Sequence, residues 1–159
     1  MTTYKLFNMK NGELYPLYVE ANKPLEIGVK LQAVVGERVD DTHVKASGCG
    51  GKLALRPGFH STLIPFTNWI GKKLPDGTLV QRKGTVWCEC TVTGKEVIVT
   101  DKKGLRELPS DWYYFKTNSK QKDPWIISKE ITINRILTNE EVDTICYEAG
   151  IIPQKREEV

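Results

Sequence analysis

Residues 85–93, Thr-Val-Trp-Cys-Glu-Cys-Thr-Val-Thr, alternate in character so regularly that an extended strand is the natural reading. Val86, Cys88, Cys90 and Val92 share one face, and Thr85, Trp87, Glu89, Thr91 and Thr93 share the other. Gly94 ends the run. Further strand signals lie over 4–8, 14–19, 27–35, 53–55, 125–128 and 131–136. Asn11-Gly12 reads as a hairpin turn between the first two, and Pro16 marks the second as an edge strand or a bulge.

Two helices are expected. Over 61–71, hydroxyls at Ser61 and Thr62, an early Pro65, apolar Phe66, Trp69 and Ile70, and a closing Gly71 fit two turns with cap and stop. Near the C-terminus, Thr138-Asn139-Glu140-Glu141 is a capping box, after which Val142, Ile145, Cys146 and Ala149 recur at helical spacing up to Gly150. The glycine-rich segment 36–51 reads as a mobile loop. Residues 101–124 read as charged and irregular, yet include Trp112-Tyr113-Tyr114-Phe115. The fold class predicted is α+β: an antiparallel, strand-rich sheet with short helices and a C-terminal amphipathic helix. One globular domain is expected over 1–152, with a charged, frayed tail over 153–159.

A chain of 159 residues, 40% hydrophobic and 27% charged, has the composition of an ordinary packed domain. A net charge of +3, without any block of five like charges, argues against an extended nucleic-acid groove while allowing a local basic pocket. No apolar run is long enough to span a membrane, and the start lacks a signal peptide's apolar stretch. Cys49, Cys88, Cys90 and Cys146 follow neither zinc spacing nor a disulfide framework, so a reduced, cytoplasmic protein without a metal is expected.

The densest chemistry lies in Arg56-Pro57-Gly58-Phe59-His60-Ser61-Thr62. Arg56 is a permanent cation that forks onto phosphate or carboxylate. Gly58 lets a ligand approach the backbone, and free amides of a helix beginning at Ser61 or Thr62 would favour an anion. His60 suits bonding to a ribose or moving a proton. The same residues also fit a tight turn in which Arg56 pairs with Glu89 or Asp123. Glu89 is a general base if its face lines a cleft and an ordinary carboxylate if that face is wet. Tyr114, Lys116 and Asn118 set a stacking ring beside an ammonium and an amide, which suits a base or equally a loop plugging the core.

The whole chain resembles an uncharacterised family of phages and mobile elements, which also occurs as a module of larger polyvalent phage proteins. The resemblance rests on Tyr4 to Phe7, Leu14 to Val19, Arg56 to His60, Val86 to Cys90, Tyr113 to Asn118 and Ile131 to Leu137. The order of Gly58 to Thr62, the helix near Trp69, the strand through Trp87-Cys88-Glu89-Cys90, and Trp125 to Ser128 is similar to the ADP-ribosyltransferase fold. That likeness implies a nucleotide or NAD as ligand, with Asp123 standing where the transferase glutamate would be. The expectation is an accessory protein binding such a ligand through Arg56, Gly58, His60, Ser61, Thr62, Tyr114, Lys116 and Asn118. Any catalysis would fall to His60, Glu89 or Asp123, and no cofactor is required. Two alternatives are an anti-defence module that sequesters a nucleotide signal or blocks a host protein, and a small RNA-processing nuclease.

Overall fold

The alternating run is the central strand of a five-stranded antiparallel sheet. The computed structural model describes residues 1–46 and 51–158. In chain order its elements are β1 (Thr2–Lys10), β2 (Glu13–Tyr15), β3 (Lys30–Gln32), β4 (Arg38–Asp40), β5 (His43–Lys45), β6 (Lys52–Ala54) and β7 (Phe59–Ser61). There follow β8 (Lys72–Lys73), β9 (Leu79–Val80), β10 (Thr85–Thr91), β11 (Trp112–Phe115), β12 (Trp125–Ser128), β13 (Glu130–Ile136) and α1 (Asn139–Glu148). The large sheet runs β2-β1-β10-β13-β3. A small sheet runs β11-β12-β7, a third runs β4-β5-β6, and β8 pairs with β9. The predicted class, strand-rich and antiparallel with a C-terminal helix, is what the molecule adopts.

The two faces of the large sheet are buried against different layers. Phe7, Cys88, Cys90, Val92, Ile131 and Ile133 form one cluster with Ile126 of the small sheet. Leu6 and Trp87, one residue out of phase, pack with Leu137, Val142 and Cys146, so α1 covers the opposite face. The small sheet is joined to the large one at two places. Tyr4 and Thr62 exchange backbone hydrogen bonds of 2.8 Å, and a single residue, Lys129, separates β12 from β13.

Local signals explain much of this. Asn11 (φ 52°) and Gly12 (φ 78°) both take left-handed backbone, as a two-residue turn between β1 and β2 requires. β2 is an edge strand and stops before Pro16. The capping box forms in both directions: Thr138 Oγ1 accepts from Glu141 N at 3.1 Å, and Glu141 Oε1 accepts from Thr138 N at 3.0 Å.

Four expectations change. Residues 61–71 form no helix, because their hydroxyls are engaged in the sheets. Ser61 pairs with Ile126, and the one Thr62 hydroxyl proton is shared between Tyr4 O at 3.2 Å and Ile64 O. The segment 36–46 is not a featureless loop but carries the β4–β5 hairpin, in which His43 Nδ1 sits 2.9 Å from Asp40. The rest of that expected loop, 47–50 with Cys49, lies outside the described residues. The aromatic run is strand β11 rather than irregular chain. Finally, the tail through Glu157 is tied down: Gln81 N donates to Lys155 O and Glu157 N to Gln81 O, while Arg156 pairs with Asp143 at 2.7 Å.

Candidate functional site

Strand parity sorts the sequence-predicted residues into separate neighbourhoods. In the small sheet Tyr113 pairs with Ile127, Ile127 with His60, and Phe115 with Trp125, so these side chains share the face turned away from the large sheet. Ser61, Phe59, Ile126 and Tyr114 take the other face. Ser61 is fully buried there, while Tyr114 is 41% exposed and meets Trp112 edge to face. Tyr114 therefore stands on the opposite side of its sheet from His60. Lys116 lies just past β11, exposed.

His60 is held tightly. Its ring packs edge-on against Trp125 at 5.8 Å between centroids, and Nδ1 lies 3.2 Å from Gly58 O. A carbonyl only accepts, so Nδ1 carries the proton and Nε2 keeps the lone pair. Although part of the residue reaches solvent, burial, aided by the neighbouring Lys5 and Arg56 charges and opposed by the Gly58 carbonyl, pushes its pKa down to about 3. His60 is therefore neutral at pH 7. Such a weak base is poorly matched to proton abstraction near neutrality.

Lys5 marks the seam beside it. Its Nζ donates to His60 O at 2.8 Å, one residue along β1 from the isolated bridge between Tyr4 and Thr62. Burial pushes the Lys5 ammonium down to about 8. Cys88 and Cys90 lie on the same face, each thiol pushed up by burial to about 12. They are inert core groups at neutral pH.

Gly58 serves packing. At φ 130°, a Cβ there would lie 2.7 Å from Ile127 Cγ2 and 3.0 Å from Ser128 O. The glycine lets the chain press against β12, whereas the sequence suggested an opening for a ligand. Nor does Arg56 pair with either carboxylate. Its guanidinium stands over the Phe115 ring, Cζ 4.5 Å from the centroid. Glu89 lies in the large sheet facing the α1 layer, where Arg135 approaches it at 3.6 Å and Asn134 at 3.4 Å. A register shift in the β10–β13 ladder beside Glu89 accompanies this arrangement.

A cleft of about 490 Å³ gathers the remaining predicted residues with several that the sequence reading passed over. Its walls are the segment after β7, the loop joining β11 to β12, and Ile151 beyond α1. Thr62, Asn118 and Asp123 line it, together with Trp69, Lys120 and Lys122. The loop is braced internally. Asn118 Oδ1 accepts from Lys120 N at 2.7 Å, Gln121 Oε1 accepts from Thr117 N, and Gln121 Nε2 donates to Asp123 O, each also at 2.7 Å. Thr67 Oγ1 accepts from Trp69 N at 3.1 Å, turning the indole outward to 47% exposure. Among the described residues, Lys120, Lys122 and Asp123 make no ion pair.

The missed residues had a signal. Asn118 to Asp123 is a polar, lysine-bearing stretch between two aromatic strands, which is what a hairpin loop looks like once the run at 112–115 is read as a strand. In the sequence Trp69 reads as one of the apolar residues of a short helix, which gives no sign that it borders a cleft. Neither Arg56 nor His60 lines this cleft or a second one of about 840 Å³ bounded by Lys10, Tyr15, Glu20 and Glu37. Among the described residues no cluster of His, Cys, Asp and Glu suits a metal, and no helix is long and apolar enough to cross a membrane. No family model, curated protein or solved structure matches the chain.

Proposed function

We propose that this chain is a binding module for a nucleotide or NAD-like ligand, an accessory protein of the kind a phage or mobile element carries. The ligand occupies the cleft between the segment after β7 and the β11–β12 loop. One observation carries this reading: an exposed indole, Trp69, shares a cleft with two unpaired lysines, Lys120 and Lys122. A base or nicotinamide stacks on Trp69, the lysines attract the phosphates, and the Asn118 amide or Asp123 carboxylate meets the sugar hydroxyls. Binding fits better than catalysis. His60 is a weak base outside the cleft, Glu89 is engaged with Arg135 in another layer, and Asp123 shares the cleft lining with lysines but with no histidine or second carboxylate. Uptake of a nucleotide signal needs only the pocket.

The test is calorimetric titration with NAD, AMP, ATP and cyclic dinucleotides, paired with quenching of indole fluorescence. One member of the panel should bind saturably, and Trp69→Ala should weaken it by about 5- to 160-fold, the equivalent of ~1–3 kcal/mol of stacking. Absence of saturable binding across the panel refutes the reading. Free nicotinamide released from NAD would mark a transferase instead, and shortened RNA a nuclease.

A further inference from the structure

Arg56 is in an unusual position for an arginine. Its stem is clamped on two sides: Phe115 lies under the guanidinium, and Gly104 presses against Cδ so closely that a Cβ there would sit 3.2 Å away. Its Nε is buried without any hydrogen-bond partner. Its terminal nitrogens make neither an ion pair nor a hydrogen bond among the described residues, although Arg135 and Arg156 have carboxylates. Asp101, at the head of the turn that carries Gly104, accepts from Lys103 N at 2.8 Å and, through its carbonyl, from Gly104 N at 3.0 Å. Burial opposes the charge, and among the described residues no carboxylate forms an ion pair with it. A half-buried cation without a counter-charge is costly, and its terminal nitrogens, unlike the sealed Nε, are free to take an anion.

We propose that Arg56 holds a tetrahedral phosphate group on the face of the small sheet turned away from the large one, at a site separate from the Trp69 cleft. The guanidinium fork offers two parallel N–H donors to phosphate oxygens, and the Phe115 ring keeps the fork flat and pre-aimed. Lys102 and Lys103, on the turn whose Gly104 touches the Arg56 stem, add positive charge at its margin. The site does not rest on the cleft reading.

The buried Nε–H gives a direct reporter. A ¹⁵N arginine-Nε spectrum of the intact chain is titrated with inorganic phosphate and, separately, with AMP, using chloride at matched ionic strength as control. The resonance lost in Arg56→Lys identifies the signal. Saturable movement with phosphate, or with AMP alone if the group belongs to a nucleotide, is the expected result. In calorimetry with the same anion Arg56→Lys should weaken binding at least tenfold, whereas Trp69→Ala and Lys122→Ala should leave the Nε response unchanged. A resonance that phosphate and AMP do not move, or that chloride moves equally, overturns the proposal. So does loss of the response in Trp69→Ala, which would place the phosphate in the cleft. The wild-type titration stands even if a variant does not fold.

Discussion

Between pH 7.5 and 5, below which the carboxylates begin to titrate as well, acid should destabilise this protein through His60, and the size of the effect follows from its burial. His60 has a pKa of about 3 in the folded chain, against about 6.5 for an unfolded histidine. The folded value is the lower, so the unfolded chain binds more protons between those limits. The stability tied to neutral His60 is complete above pH 6.5 and is lost progressively as pH falls towards 3. At pH 5 the unfolded imidazole is almost wholly protonated and the folded one almost wholly neutral, giving a loss of about 2 kcal/mol relative to pH 7.5. That figure is robust, since any folded value below about 4 gives nearly the same result at pH 5.

The assay is urea unfolding at pH 7.5 and 5.0 for the wild type and for His60→Asn. Asparagine can present an amide N–H where Nδ1–H now meets Gly58 O, but it does not titrate. The variant is expected to lose less stability than the wild type between the two pH values by about 2 kcal/mol. Equal losses in the two proteins would refute the reasoning, because His60 would then titrate alike folded and unfolded. An NMR titration of the His60 ring checks the premise: its signals should show no protonation above pH 5.

Other outcomes follow from single contacts. Gly58→Ala should cost about 2 kcal/mol or more in urea unfolding, since it combines a left-handed backbone with a 2.7 Å clash against Ile127. Thr138→Ala should cost about 1 kcal/mol through loss of the capping box, read as a lower urea midpoint at unchanged slope. Removing residues 151–159 should lower the melting temperature and weaken ligand binding in the cleft, because Ile151 is part of its wall and Gln154 bonds Ile70 O and Leu79 O. A truncated chain that melts as the wild type does would show that the tail contributes nothing. Cys88 and Cys90 should react with a thiol reagent only as fast as the protein unfolds, and faster labelling in native buffer would contradict their burial.

What the sequence revealed and concealed has a physical pattern. The Asn11-Gly12 turn, the alternation of β10 and the capping box were legible because each is decided within a few residues. The segment 61–71 misled because hydroxyls, proline and glycine also suit a chain crossing between two sheets. There Thr62 bonds Tyr4, 58 positions away, and nothing local announces that partner. β11 was obscured because Trp-Tyr-Tyr-Phe does not alternate, although its pleat still sends Tyr113 and Phe115 inward and Tyr114 outward. The docked tail depends on Gln81, again a long-range backbone match. The candidate site was legible only by residue type. Arg56, His60 and Glu89 were sensible choices, but face parity and layer assignment, which distribute them, are tertiary properties.

That distribution bears on mechanism more than any single pKa does. General acid–base catalysis needs a titratable group within hydrogen-bond reach of the substrate, with a pKa near the working pH. Here His60 is spent on Gly58 and Trp125, and Glu89 points into the layer of Arg135 and α1. Asp123 is left alone in the cleft with two lysines. Recognition asks for less: a flat ring to stack on, fixed cations, and a loop whose own hydrogen bonds keep it in shape before ligand arrives. The β11–β12 loop meets that last condition through Gln121, which bonds Thr117 N and Asp123 O at once. A pre-braced loop loses little conformational entropy on binding, so its lysines can act as fixed charges. Gln121→Ala should therefore weaken ligand binding by loosening the loop that carries the lysines. The loss should appear as a less favourable binding entropy in calorimetry, and an unchanged affinity would show that the loop holds its shape by other means.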